Sequence, residues 1–447
     1  MTMRSRPGLC AGVALIALIA GPASAAETPD IEARMSAIES RMAALTGELE
    51  ATRAENASLR NALAETRAKA SPSPADGFKV GGTTIKIGGF LKTVATFSRW
   101  DDGDVAGNSL GRDFYLPQAI PVGGTRESTD SDFSAKQTRL WLNLSTDVSG
   151  HTLKGYLETD FQSAPGTQGS ERTTNGYNLA LRRAWVQFDN LLVGQDWSTF
   201  QYVAALPEST DFIGPTEGTV FVRQPLVRYT AKLTPALALS VSAENAESAT
   251  ISSTSPTLVE NDDDRLPDFV ARLTYTAPFG ELSLAGLFRQ LSVDNGTVSD
   301  KTAAWGISAA GKIVFGPDKR HDLRFMATYG DGIGRYVGLN FAPDAVYDGL
   351  PGSTLETVKT FAALAALKLG WTPTLRSTVM AGYQNASYPS PAPLTANDKA
   401  WSLAANLFWS PVKALDLGVE YRHGERELLN GLAGQLNRLE FAAKYNF

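Results

Sequence analysis

Cysteine is all but missing: the 447 residues hold one, Cys10. Histidine occurs three times, at His151, His321 and His423. Beyond residue 26 no apolar run reaches the roughly 18 residues a membrane-spanning helix needs. The first scarcity excludes disulfides, thiol catalysis and cysteine metal sites once a leader is removed. The second leaves no H-E-x-x-H zinc motif and no histidine cluster, so no cofactor or metal is expected. The third argues against a helical membrane protein.

The N-terminus carries Arg4 and Arg6, an apolar run to Ala20, a break at Gly21-Pro22 and Ala23-Ser24-Ala25 as a cleavage site. That is a secretory signal over residues 1–26. Cys10 lies inside this signal, and the apolar run follows it instead of preceding it, which argues against a lipoprotein anchor.

Residues 27–70 repeat apolar side chains at alternating spacings of four and three: Ile31, Met35, Ile38, Met42, Leu45 and Leu49, then Leu59 and Leu63 after a polar break. This heptad pattern predicts a coiled coil, with Met or Leu at a and Ile at some d positions favouring more than two strands. Asn56 occupies an a position and would fix register. Ser71 to Gly77, SPSPADG, ends the helix and opens a linker over 71–82.

From residue 83 to 447, apolar and polar residues alternate in about sixteen short segments. Their connections alternate too. Tight turns hold SGH, DN, TPA, PFGE, GPDKR, TPT and PVKA, and the other connections are mostly long. Segregation of short and long connections by parity is the mark of an up-and-down barrel crossing an outer membrane. The expected fold is all-β and transmembrane: a sixteen-stranded antiparallel up-and-down β-barrel with an N-terminal α-helical coiled-coil segment. An even count places both barrel ends, and the coiled coil, in the periplasm.

Without Arg4 and Arg6 the basic residues fall to 39 against 47 acidic ones, a net charge of −8. Many carboxylates sit in predicted loops, whereas predicted inward positions are rich in cations: Lys92, Arg139, Lys154, Arg228, Arg272, Arg324, Lys368, Arg376 and Arg422. A basic lumen favours anions; pairing with Glu158, Asp160 or Glu420 would instead brace the wall. Arg182 and Arg183 are adjacent, so strict alternation admits only one of them to the lumen. The connection 198–220 is unusually apolar, with Phe200, Tyr202, Leu206, Phe212 and Ile213. It is expected to fold into the barrel and set Glu208 or Asp211 opposite the basic wall.

The chain ends LEFAAKYNF, with Phe441, Tyr445 and Phe447 on one face of a strand. These residues are expected at the periplasmic aromatic girdle and to act as the signal read by the barrel assembly machinery.

The segments TTIKIGGFLK (83–92), SAKQTRLWLNLSTD (134–147), LKGYLETDF (153–161), LALRRAWVQFDNLLVGQDWSTF (179–200) and ALPESTDFIGPTEGTVFVRQPLVRY (205–229) resemble the DcaP-like family of outer-membrane porins. The resemblance implies trimeric sixteen-stranded channels with a periplasmic coiled coil, taking up small negatively charged solutes such as dicarboxylates. It supports Arg139, Arg182, Arg223 and Arg228 as basic pore residues. Ala180 stands where members often have a further basic residue, and Arg183 where they have His.

The leading expectation is a non-enzymatic outer-membrane porin of a Gram-negative bacterium, passing small anionic solutes through a basic constriction. Its expected partners are two further copies in a homotrimer, outer-membrane lipid and the assembly machinery, with no nucleic acid. A porin with little charge preference, sugar-type or general, is the alternative. A structural tether acting through the coiled coil is a second.

Overall fold

The computed structural model describes residues 28–69, 77–162, 176–389 and 392–447. The signal peptide and residues 70–76 of the linker lie outside them, and within the helix side chains are described over 33–60, which leaves out those of Ile31 and Leu63. Contacts divide the chain into an N-terminal unit and a unit from Pro74 to Phe447.

The N-terminal unit contributes α1, Thr28–Lys69, a continuous helix despite Gly47, which costs about 1 kcal/mol in a helix interior. Met35, Ile38, Met42, Leu45, Leu49 and Leu59 are all more than half exposed. The Asn56 side chain donates back to the Thr52 carbonyl at 3.0 Å.

The second unit is a closed barrel of sixteen antiparallel strands. They are β1 (Thr83–Trp100), β2 (Ser128–Ser134 continued by Arg139–Val148), β3 (His151–Asp160), β4 (Ala180–Phe188), β5 (Leu191–Trp197), β6 (Arg223–Lys232), β7 (Leu237–Glu244) and β8 (Asp268–Ala277). Then follow β9 (Gly280–Asp294), β10 (Ser299–Phe315), β11 (His321–Asp331), β12 (Lys359–Gly370), β13 (Leu375–Ser387), β14 (Asn397–Val412), β15 (Leu415–Leu428) and β16 (Ala433–Asn446). Each pairs with its neighbours in sequence, and β16 returns to β1 from Phe90↔Asn446 to Trp100↔Leu436. Phe447 exchanges both backbone hydrogen bonds with Gly89 at 3.1 Å. The sheet therefore has no free edge along this seam.

Alternation sets the faces. Leu140, Leu153, Leu157, Val227 and Phe441 point outward and are exposed, whereas Glu158, Asp160, Glu420 and Arg422 point inward and are buried. Where the period-two pattern predicts one strand over 133–148, β2 is broken at 135–138; both halves pair with β1. Ser134 Oγ accepts from the Lys136 amide at 3.1 Å and closes this local turn. The predicted linker also ends early: Phe78–Val80 pairs with β1 as a short hairpin.

Seven tight turns close one end of the barrel, and the long connections lie at the other. Two long loops, 245–267 and 332–358, join in a four-stranded sheet of Ala249–Ser252, Ser255–Glu260, Ala345–Tyr347 and Glu356–Thr357, including one parallel pair. Strands of two to six residues carry too little alternation to be visible in a sequence. The interior is filled where folded-in loops meet the wall: Phe200, Tyr202, Val220, Ile333, Tyr336 and Val337 pack on Val270, Leu287, Met326 and Leu364.

Candidate functional site

One side of the lumen, β2 to β6, carries five arginines and three carboxylates. Arg182 Nε lies 2.7 Å from Glu158 Oε1, and its Nη1 meets Asp160. Arg139 Nη2 reaches the same Asp160 at 3.3 Å. Asp196 holds Arg183 Nε and Arg228 Nη2, each at 2.5 Å. Arg223 opens β6 and stacks 5.1 Å from the Trp197 ring, with no carboxylate partner among the described residues. Five cations against three anions leave positive charge on this wall.

Both Arg182 and Arg183 face inward, which corrects the expectation that only one would. Glu158 pairs with Arg183 and Thr159 with Leu181, so Arg182 is an extra, bulged residue. Gln195 Nε2 donates to the carbonyls of Leu181 and Arg182 at 3.2 and 3.1 Å, securing the bulge from the outer face. Arg182 is fully buried while Arg183 keeps about a fifth of its side-chain surface, over the Tyr156 ring at 4.5 Å.

Loop 198–222 lies inside the barrel, tied to strands on the far side. Arg376 on β13 donates to both oxygens of Glu208, with Nη2 at 2.7 Å from Oε1. Arg272 Nη1 donates to the Gln201 carbonyl at 2.6 Å, and Arg324 to the Leu206 carbonyl. Lys92 Nζ donates to the Thr210 carbonyl at 2.5 Å, and Glu420 accepts from Ser209 Oγ at 2.7 Å. Glycines let the loop press on the wall: a Cβ at Gly382 would lie 2.4 Å from Glu217 Oε1, and one at Gly418 2.7 Å from Thr210 Cγ2.

Arg376 and four more of the predicted pore cations therefore hold the loop or its supports. Lys92 and Arg422 are buried; Arg422 donates to Glu420 at 2.8 Å beneath the Tyr115 ring. Arg272 and Arg324 bind loop carbonyls, and Arg324 also pairs with Asp322 at 2.7 Å. Backbone carbonyls of a buried apolar loop need donors, and long inward cations supply them. Asp211 is corrected as well. Its carboxylate accepts from the amides of Tyr115, Ile213 and Gly214 at 2.8 to 3.1 Å, so it caps the loop and does not oppose the basic wall. Phe212 reaches that wall instead, its ring 5.8 Å from Arg139 and 5.3 Å from Arg182. Lys154 stands apart, exposed near the tight-turn end.

Two further loops lean in. Thr216 Oγ1 donates to the Tyr115 carbonyl at 2.8 Å, and Val220 bridges to Val337. A buried knot of Arg289, Asp268, Asp344 and the Tyr336 hydroxyl anchors loop 332–358, with Arg289 Nη1 at 3.0 Å from Asp344 Oδ1. These partners are distant in sequence and carry no motif, so only the tertiary fold reveals them. Burial pushes the Glu217 carboxyl above its usual range, although Ser402 Oγ donates to it at 2.6 Å.

The histidines stay apart. His151 meets Asp189 at 2.7 Å, His321 Nδ1 accepts from the Gly370 amide and His423 meets Asn437 at 2.9 Å. The stretch GNSLG, 107–111, has the G-x-S-x-G spacing of a nucleophile elbow, which corrects the expectation that the chain holds no such motif. Ser109 caps a four-residue helix, accepting from the Gly111 amide at 3.2 Å, and touches no histidine. At the seam Phe441, Tyr445 and Phe447 are exposed on the outer face, with Tyr445 and Phe447 6.2 Å apart.

The model of the DcaP outer membrane protein family matches residues 36–447. The crystal structure of the outer membrane channel DcaP of Acinetobacter baumannii is 26% identical, covers 83% of this chain and 99% of its own, and superposes with a TM-score of 0.68. The trimer form of OmpT, an outer membrane protein of Vibrio cholerae, is 10% identical over 82% of this chain and 100% of its own, with a TM-score of 0.51, a likeness of fold alone. No curated protein matches the chain. With the family model spanning the barrel and most of α1, the chain belongs to the DcaP outer membrane proteins, a family of outer-membrane channels.

Proposed function

We propose that this channel passes small anions by passive diffusion, dicarboxylate-like solutes among them. The observation that carries the reading is the β2 to β6 wall, where Arg139, Arg182, Arg183, Arg223 and Arg228 outnumber Glu158, Asp160 and Asp196. In a narrow, low-dielectric lumen such an excess raises the local anion concentration. Phe212 against Arg139 and Arg182 defines the narrow level, and Glu208 is held back on Arg376. The protein works as a homotrimer in outer-membrane lipid, its heptad helices joined in the periplasm, after insertion by the barrel assembly machinery. No catalytic role belongs to this reading.

Reversal potentials in planar bilayers under a KCl gradient test it. Anions should permeate faster than potassium, and Arg139→Ser with Arg228→Ser should lower that preference. A cation-selective or non-conducting protein, or an unchanged preference in the double variant, overturns the assignment. Liposome swelling with dicarboxylates, neutral sugars and basic amino acids ranks the solutes.

A further inference from the structure

Six lysines point into the lumen near the tight-turn end: Lys368, which pairs with Asp322 at 3.0 Å, Lys86 near the start of β1, and four more. Lys154, Lys232, Lys312 and Lys444 share the parity of buried inward residues on their strands, Glu158, Leu226, Ala310 and Glu440 respectively, and each lies within four residues of that end of its strand. Among the described residues none of these four lies within 4 Å of a carboxylate; Lys444 overlies the Phe90 ring at 4.5 Å and stands across the strand pair from Asp416. Asp147, exposed beside the 149–150 turn, accepts from Thr152 Oγ1 at 3.2 Å, and the other nearby acids are engaged elsewhere. Glu281 accepts from the Tyr202 hydroxyl at 2.6 Å, Asp322 holds Arg324 and Lys368, and Asp416 holds Arg376.

The opposite end carries the other sign. In loops 101–127, 245–267 and 332–358 carboxylates outnumber cations by thirteen to four. Asp101, Asp104, Glu260, Asp262, Asp348 and Glu356 are exposed there. The tight turns hold only Asp189 and Asp318 against Lys319, Arg320 and Lys413.

We infer that the channel is an ionic rectifier, its outer mouth a cation-rich zone and its periplasmic mouth an anion-rich zone in series. The inference rests on the chain being a channel and is independent of net anion preference. When the outer side is positive, the field drives cations inward from the acidic mouth and anions outward from the lysine ring, so both accumulate where the zones meet. The reverse field empties that junction and raises its resistance. The device needs the fixed charges to reach across the aqueous path, which screening permits at low salt and abolishes at high salt.

The test uses the full-length trimer in planar bilayers. Because the exported chain has no cysteine, Leu350→Cys in an outer loop, blocked by an impermeant thiol reagent from one chamber, reports orientation. At 0.1 M KCl, with a screening length of about 10 Å, current with the outer side positive should exceed the reverse by about 1.5-fold or more. At 1 M, where that length is about 3 Å, the ratio should fall to about one. Replacing the four lysines by Gln should lower the low-salt ratio, and single Lys154→Gln and Lys232→Gln variants at exposed positions serve if the fourfold variant fails to assemble. A linear current-voltage relation at 0.1 M in oriented wild type, the opposite polarity, or an unchanged ratio in the lysine variants overturns the inference. A linear but anion-selective pore would leave the proposed function standing, and a rectifying pore without anion preference would overturn only that function.

Discussion

Arg182 and Arg183 stand side by side on β4, yet one is buried between two carboxylates and the other borders the open lumen. The difference comes from one bulged residue, invisible to a rule of strict alternation because register is a property of the pair of strands. Asp160 is fully buried and serves both Arg182 and Arg139. Asp160→Asn should therefore leave a buried guanidinium short of charge and destabilise the barrel by about 3–5 kcal/mol. The urea midpoint of folded, detergent-solubilised protein reads this, and a shift no larger than that of an exposed control such as Asp262→Asn would sink the account. A second buried carboxylate behaves oppositely with pH. The folded chain holds the proton of Glu217 more tightly than the unfolded chain does, because burial raises that carboxyl. The stability gained is full below the ordinary carboxyl value of about 4.3 and is lost as pH rises through the raised value. Between pH 4 and 8 the wild-type melting temperature should fall more than that of Glu217→Gln; parallel profiles would show that folding leaves the proton affinity of Glu217 unchanged.

At the scale of elements, strands were more legible than loops. Leu140, Leu142 and Leu144 against Arg139, Trp141 and Asn143 display the period of β2 directly, because lipid and water make opposite demands on its two faces. The loop anchors show no such period. Lys92 and Arg422 look like pore cations in a sequence, since inward parity does not tell open lumen from lumen filled by a loop. Asp211 reads as a free carboxylate for the same reason, until the amides of Tyr115, Ile213 and Gly214 are placed around it. The apolar composition of 198–220 was the usable signal, and it pointed to the loop without naming its partners. Closure depends on β16, whose last hydrogen bonds come from Phe447 to Gly89. Deleting Phe447 should reduce the amount of folded protein in the outer membrane while leaving the conductance of assembled channels unchanged. Normal yields, measured by heat-modifiable gel mobility, would argue against an assembly role.

For the whole molecule, the helix and the barrel give unlike signals. The barrel pairs most of its inward arginines within a single chain, whereas α1 leaves Met35, Ile38, Met42, Leu45 and Leu49 in water. A seam of this kind gains stability only against other helices. Deleting residues 31–66 should lower the temperature at which trimers dissociate on native gels while pores persist; an unchanged temperature would remove the helix from trimer assembly.

The seam between β1 and β16 also imposes an order on folding. Phe90 and Asn446 are neighbours in space but roughly 350 positions apart along the chain, a separation that makes their contact among the slowest to form. Until it forms, the edge of β1 from Phe90 to Trp100 presents unsatisfied amides and carbonyls. Those groups are a template for any passing strand, so every chain spends its unfinished interval as a potential aggregate. Shielding that edge until closure is thus a demand set by the ring itself, whatever solute the finished ring admits.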